Sequence, residues 1–475
     1  MEIIGRERER RLLARCEASK KPEFVAVYGR RRVGKTFLIT EHFGNKFAFS
    51  VTGISDANRK DQLREFRKSL MKYYQGEIPA LSDWHEAFSI LEAKIEQDPT
   101  LGKKILFIDE LPWLDTHKSG FLPALEHFWN AFASRRPDIL LIVCGSAASW
   151  MIRNLIDSYG GLYNRVTETI VVEPFMLNEC EALCAKNGVT FSRRQIAEAY
   201  MIFGGIPYYF EVMDRMYGLS QNIDLLLFKK NARLGNEFSR LYHSLFRQSD
   251  NHIRVVEILA KNSAGLTRQE LAAASGIPDG GGLTKVLAEL ESCSLIGRSF
   301  DLRKRKSGEY FKLTDFYSLF YFRYLNNYKV TDPHYWTNYL STPAHSAWCG
   351  YAFERLCMAH IEQIKQRLGI SGVITNVCAF RSTLQKGGAQ IDIVIDRQDD
   401  TINLCECKFT NKTYSLTPAD SADLLRKKDV FVQETGTKKS IHMTMITTNG
   451  LTQNAYRNDI QSEIILDDLF QQSHF

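Results

Sequence analysis

Three short apolar runs dominate the first third of the chain. They are Phe24-Val25-Ala26-Val27-Tyr28, Ile105-Leu106-Phe107-Ile108 and Ile139-Leu140-Leu141-Ile142-Val143-Cys144. Each is continuous rather than alternating, the pattern of a strand buried on both faces of a sheet. Stretches of helical periodicity separate them, so the alternation predicts an α/β domain with helices on both faces of a parallel sheet. Even the longest run is far short of the roughly 20 residues that cross a bilayer, so no membrane partner is expected.

From about residue 175 to 242 the spacing turns helical. It is amphipathic over 177–183 and 195–203, with a sharp break at Gly204-Gly205-Ile206-Pro207. Further helices are predicted over 254–261, from Thr267 with Glu270 completing a capping box, and over 283–292. Strands over 295–302 and 310–313 follow, joined by the basic Arg303-Lys304-Arg305-Lys306-Ser307-Gly308. Three helices and a basic hairpin make a winged helix, which serves either as a DNA-contacting module or as a protein-docking one. Lys285 is the main basic residue of its third helix, beside Glu289 and Glu291, so Arg303, Lys304, Arg305 and Lys306 are the candidate phosphate contacts rather than base readers. The last third alternates. In Gln390-Ile391-Asp392-Ile393-Val394-Ile395-Asp396, Asp392 faces away from the isoleucines; in Ile402-Asn403-Leu404-Cys405-Glu406-Cys407-Lys408, Glu406 and Lys408 share a face.

With 475 residues, 44% hydrophobic and 24% charged, the chain has length for roughly three domains and the composition of globular proteins. A net charge of +6 permits nucleic-acid contact without demanding it. Ten cysteines at irregular spacing are no disulfide framework, and Met1-Glu2-Ile3-Ile4-Gly5-Arg6-Glu7 lacks the basic-then-apolar start of a signal peptide. A reduced, cytoplasmic compartment is expected.

The strongest chemical signal is Gly29-Arg30-Arg31-Arg32-Val33-Gly34-Lys35-Thr36, which fits G-x-x-x-x-G-K-[ST] without a mismatch. A strand precedes it and a helix opens at Phe37, the context that anion binding at a helix N-terminus requires. Gly29 to Thr36, with Phe37, is therefore the candidate nucleotide-binding set. Lys35 reaches the β/γ-phosphate oxygens and Thr36 a magnesium ion. Arg30, Arg31 and Arg32 add positive charge inside the loop. The second apolar run ends in Asp109-Glu110, carboxylates at the carboxyl edge of the sheet. Asp109 is the candidate for the magnesium shell and Glu110 for polarising the attacking water. Ser146, at the tip of the third run, is either a sensor of the γ-phosphate or the N-cap of the next helix. Phosphoryl transfer needs more positive charge than one lysine supplies, so Arg135, Arg136 and Arg165 are candidates for an arginine finger, Arg165 foremost.

Gly5-Arg6-Glu7, the phosphate loop, Phe107-Ile108-Asp109-Glu110, Leu162-Tyr163-Asn164-Arg165, Pro174-Phe175 and Gly204-Gly205-Ile206-Pro207-Tyr208-Tyr209 together resemble the archaeal-type AAA-like P-loop ATPases. That resemblance implies ATP and magnesium as ligands, a helical lid, a winged helix and a C-terminal nuclease-like domain. Asn164 departs from the glycine of the Leu-Tyr-Gly-Arg version. The implied domains are residues 1–172 (ATPase core), 173–248 (lid), 249–330 (winged helix) and 331–475.

The last domain resembles the PD-(D/E)xK nuclease fold. Glu354 lies on a helix, in Gly350-Tyr351-Ala352-Phe353-Glu354, followed by Asp392 on one strand and Glu406-Cys407-Lys408 on the next. Asp392 and Glu406 would bind magnesium with Glu354 in support, and Lys408 would steady the hydroxide or the leaving phosphate. This domain is slightly acidic overall, unlike most DNA-cleaving domains. Cys405 and Cys407 read as buried strand residues rather than a zinc pair. Two functions fit: an ATPase coupled to a nuclease-like effector on DNA or RNA, or a nucleotide-controlled switch whose C-terminal domain binds DNA or protein without cleaving. An arginine finger acting between subunits implies a homo-oligomer.

Overall fold

A computed structural model describes residues 2–157, 161–162, 164–246, 248–300, 309–329, 332–382, 384 and 388–472. The chain divides into two compact units. One comprises Met1–Pro174 and Ser239–Ser249, the other Phe175–Phe238 and Asp250–Phe475.

The first unit is built on a five-stranded parallel sheet. Its strands are β1 (Glu23–Tyr28), β2 (Phe49–Thr52), β3 (Lys104–Asp109), β4 (Ile139–Gly145) and β5 (Glu168–Val171), in the order β2-β3-β4-β1-β5. Every residue of β3 and β4 is buried, as their unbroken apolar runs require. Because all five strands run the same way, their carboxyl ends share one edge. β4 lies between the loop-bearing β1 and the acid-bearing β3, with Val27 opposite Cys144 and Ile108 opposite Val143.

Helices cover this sheet and start where their sequences supply caps. Asn58 accepts from the Asp61 amide at the head of Arg59–Tyr73, and Asp83 from the Glu86 amide at the head of Trp84–Gln97. These helices bring Phe66, Trp84 and Phe88 into a buried aromatic cluster with Phe49, Phe121 and Phe128. Truncating any one of these rings to alanine removes about 3–5 kcal/mol of packing, so this cluster fixes how the sheet edge is presented.

The second unit opens with helices Leu177–Lys186 and Arg193–Phe203, where helical spacing predicted them. Helices Asp250–Lys261, Arg268–Ser275 and Gly281–Ser292 follow, then the antiparallel strands β6 (Ile296–Phe300) and β7 (Glu309–Leu313). The Thr267–Glu270 capping box forms as read. Leu266 bridges to Phe311, adding a third short rung to the hairpin. Arg303, Lys304, Arg305 and Lys306 lie outside the described residues.

Residues 332–472 form a mixed sheet. Its strands β8 (Thr375–Arg381), β9 (Gln390–Arg397), β10 (Thr401–Lys408), β11 (Ser440–Thr447) and β12 (Ser462–Ile465) run in the order β12-β11-β10-β9-β8. β8, β9 and β10 form an antiparallel meander, and β11 and β12 continue parallel to β10. The helix Pro418–Thr435 makes the crossover from β10 to β11, and the helix Pro343–Ala359 packs against β10 and β9. All ten cysteines are buried, and none is paired in a disulfide. No helix among the described residues is long and apolar enough to cross a membrane.

Candidate functional site

The loop after β1 is shaped for close backbone approach. Gly34, at φ 89°, occupies the left-handed region as the N-cap of the helix Lys35–His42, and a side chain there would be strained. Lys35 is buried, and its ammonium donates to the carbonyl oxygens of Gly29 and Arg30, each at 3.0 Å. Arg6 reaches across from the N-terminal segment and donates to the Val33 carbonyl at 3.1 Å. Arg31 donates to the Arg240 carbonyl at 3.2 Å, tying the loop to the returning segment Ser239–Ser249.

The Thr36 hydroxyl donates to Asp109 Oδ2 at 3.0 Å. A hydroxyl and a carboxylate are therefore side by side at the start of a helix, a donor set suited to a hard cation. Burial holds the Asp109 carboxyl above its ordinary range, with the Glu110 charge adding to the effect; hydrogen bonds from Thr36, Cys144 and the Glu110 amide oppose it. Cys144 is fully buried, which pushes its thiol well above the ordinary value and keeps it a hydrogen-bond donor.

Glu110 takes a left-handed conformation, φ 47°, as the chain leaves β3. The turn is hemmed in by Gly53, where a Cβ would lie 2.5 Å from the Glu110 carbonyl oxygen. The side chain swings toward β4 and accepts from the Ser146 hydroxyl at 2.8 Å and the Ser146 amide at 3.2 Å. Ser146 does not cap a helix: the next one, Ala148–Met151, has Ala147 as its N-cap and no side-chain cap bond. Of the two readings of Ser146, the N-cap is not observed; its hydroxyl faces Glu110 instead. Lys35, Thr36, Asp109, Glu110 and Ser146 thus gather at one edge of one sheet.

A second polar cluster lies in the other unit. Continuing the β9–β10 register past Cys405–Ile393 sets Asp392 across from Glu406. Asp392 accepts from the Cys407 amide at 2.8 Å. Glu406 is buried with its two oxygens separately engaged: Oε1 with Lys408 Nζ at 2.9 Å, Oε2 with Lys427 Nζ at 2.7 Å. Glu354, on the helix Pro343–Ala359, belongs to the same electrostatic neighbourhood. Burial, then the charges of Asp392 and Glu406, push its carboxyl up to about 8. Burial and Glu406 likewise push Asp392 up to about 6. Burial works against the Lys408 charge, and Glu406 outweighs it, leaving the ammonium above its ordinary value. The donor chemistry suits a hard cation, but the arrangement does not: both Glu406 oxygens are held by ammonium groups. Among the described residues no set of three His, Cys, Asp or Glu side chains is gathered to hold an ion.

Residues 4–213 match the model of an ATPase domain predominantly from Archaea. Lys35, Thr36, Asp109, Glu110 and Ser146 all lie inside the matched residues. The chain is also similar to an uncharacterised protein of Methanocaldococcus jannaschii, 24% identical over 338 residues, covering 68% of this chain and 69% of that protein. Among solved structures it is similar to a Walker-type ATPase of Pyrococcus abyssi, with 19% identity, 68% of this chain and 96% of that one covered, and a TM-score of 0.48. The ORC2 protein of Aeropyrum pernix gives 13% identity, 69% and 94% coverage, and a TM-score of 0.43.

Within the matched residues the arginine candidates separate. Arg136 is engaged by Asp138 through two hydrogen bonds, at 2.9 and 2.6 Å. Arg135 and Arg165 are exposed. Asn164 has φ 53°, the left-handed conformation that glycine adopts freely and asparagine tolerates best among the other residues. The departure from glycine therefore leaves the turn intact. Tyr163 and Gly160 lie outside the described residues, as does Gly387 ahead of β9.

Three contacts escaped the sequence reading. Cys144 precedes Gly145 and Ser146, and reading the strand tip back by two residues finds it. Arg6 was visible in Gly5-Arg6-Glu7, but nothing local links it to Val33, 27 residues away. Lys427 sits 21 residues beyond Glu406 on a helix whose only local signal is its four-residue spacing from Asp423.

Proposed function

We propose that this chain binds ATP at the loop Gly29 to Thr36, hydrolyses it, and couples nucleotide state to a C-terminal nuclease-like domain acting on nucleic acid. In this reading residues 1–172 are the ATPase core, 173–248 a helical lid, 249–330 a winged helix and 331–475 the effector. The observation that carries it is the convergence of Lys35, the Thr36–Asp109 pair and the Glu110–Ser146 pair at one sheet edge. The match of residues 4–213 to an ATPase domain supports the first half.

The chemistry follows from these residues. Lys35 exchanges its bonds to the Gly29 and Arg30 carbonyls for β- and γ-phosphate oxygens, so the loop is held in shape before the nucleotide arrives. Thr36 and Asp109 are the residues to hold magnesium, whose charge would neutralise that building on the phosphates. Glu110 accepts hydrogen bonds on one oxygen from Ser146, leaving the other to orient the attacking water. Arg165, exposed after the Asn164 turn, is the arginine to complete the site, from a neighbouring copy in a homo-oligomer.

For the C-terminal domain the support is the helix, meander and crossover arrangement with Glu354, Asp392, Glu406 and Lys408 brought near one another. The winged-helix reading rests on three helices followed by the β6–β7 hairpin. One observation favours the alternative of a non-cleaving, nucleotide-controlled switch: both Glu406 oxygens are paired with lysines. Incubation with plasmid and single-stranded substrates, magnesium and ATP separates the two. Cleavage that is lost in Lys408→Ala and kept in the exposed Lys438→Ala supports the effector; no cleavage with any divalent metal supports the switch.

A further inference from the structure

We infer that Lys427 is a working member of the C-terminal cluster, occupying the place of a cation at Glu406 and competing with a divalent ion for it. The inference rests on the reading of Glu354, Asp392, Glu406 and Lys408 as a nuclease-like site, and it accounts for why those carboxylates do not form an open metal site as they stand.

The geometry is specific. Lys427 Nζ is 2.7 Å from Glu406 Oε2 and 3.2 Å from Asp423 Oδ2. The Lys427 and Glu406 side chains are only 12% and 10% exposed, so neither charge is left to solvent. A carboxylate this buried needs positive partners, because an unpaired one carries a desolvation cost of several kcal/mol. Lys408 supplies one partner from the same strand at 2.9 Å. Lys427 supplies the other from the helix Pro418–Thr435, where Asp423 lies one turn earlier on the same face.

This gives Lys427 two anchors of different kind. Glu406 is buried, whereas Asp423 is 44% exposed. The four-carbon stem of lysine lets the ammonium leave Glu406 while keeping its hold on Asp423. A divalent ion arriving at Glu406 meets two ammonium groups within contact distance, and like charges at that range are strongly repelled. Among the described residues Lys408, 35% exposed, has a carboxylate contact with Glu406 alone, whereas Lys427 also holds Asp423. Lys427 keeps a carboxylate partner when it leaves Glu406 and Lys408 would keep only solvent, so Lys427 is the one displaced.

The test uses the nucleotide-free full chain and Mn2+ as the probe, counting only the binding that Asp392→Asn removes. Lys427→Gln should tighten this binding about tenfold, whereas Lys427→Arg and the exposed Lys438→Gln should stay within about twofold of wild type. A second measurement needs no variant: acetylation of lysines in the wild-type chain, read by mass spectrometry, should rise several-fold at Lys427 on adding Mn2+ and stay level at Lys438. Unchanged or weaker Mn2+ binding in Lys427→Gln, or Lys427 acetylation indifferent to bound Mn2+, overturns the competition while leaving the nuclease-like reading standing. Absence of any Asp392-dependent Mn2+ binding, in wild type and Lys427→Gln alike, removes the nuclease-like metal reading itself and this inference with it.

Discussion

Ser146 holds one oxygen of Glu110 with two donors, its hydroxyl at 2.8 Å and its amide at 3.2 Å. The amide contact is backbone and survives substitution; the hydroxyl contact does not. A hydrogen bond to a charged group contributes about 1.5–3 kcal/mol, so Ser146→Ala should lower kcat for ATP on the order of tenfold and leave the nucleotide Kd unchanged. Glu110→Gln should bind ATP normally and fail to turn it over. Steady-state hydrolysis alongside calorimetry checks both, and wild-type turnover in Glu110→Gln would remove its assigned role.

Lys35 satisfies two loop carbonyls before any phosphate is present. Lys35→Ala therefore removes the proposed phosphate ligand and leaves the Gly29 and Arg30 carbonyls without that donor. Titration calorimetry with ATP and magnesium should show binding weakened by on the order of a hundredfold, equivalent to ~3 kcal/mol, or lost. Wild-type affinity in that variant would contradict the assignment of the loop.

Gly53 carries no signal in a phosphate-loop motif, yet it abuts the backbone of Glu110. A methyl group there would sit 2.5 Å from the Glu110 carbonyl oxygen. Gly53→Ala should cost about 1–3 kcal/mol of stability, the usual range for overpacking, and should depress turnover more than nucleotide affinity by re-aiming Glu110. Thermal unfolding paired with kinetics on the same sample distinguishes this from a neutral surface change.

His360 is fully buried in the second unit. Its Nε2 accepts from the Leu177 amide at 3.2 Å, which leaves Nδ1–H to donate to the Leu356 carbonyl at 2.9 Å. Burial lowers its pKa from the ordinary 6.5 to about 4. The unfolded chain takes up a proton below pH 6.5 that the folded one refuses until about pH 4. Stability from this neutral imidazole is thus complete above pH 6.5 and declines as pH falls across that window, by about 3 kcal/mol in total. Denaturant melts at pH 7.5 and 4.5 should show a smaller loss for His360→Gln than for wild type; equal losses would rule out His360 as the source.

Sequence and structure agree most closely where chemistry is local. The phosphate loop, the acids ending β3 and the polar tip of β4 are each contiguous, and unbroken apolar runs mark the strands that carry them. Alternation likewise revealed which face of β10 bears Glu406 and Lys408. What escaped depends on approach in space. No periodicity announces that Cys144 borders Asp109, since that follows from β4 inserting beside β3. The left-handed turn at Glu110 is set by packing against Gly53, 57 residues earlier in the chain. Lys427 looks like any helical lysine until the crossover helix lies over β10. Ser146 shows the intermediate case: a small polar residue before a helix suits a cap, and only the position of Glu110 explains why it is not one.

The first unit is not one continuous length of polypeptide, because Ser239–Ser249 returns to it and Arg31 grips Arg240 there. A ribosome that has just released Pro174 has therefore not finished the unit. It must first extrude the whole of 175–238, and Arg31 gains its Arg240 partner only afterwards. A gene cut once after Pro174 would yield a fragment lacking that strap, and no single recombination junction could transplant the unit intact into another protein.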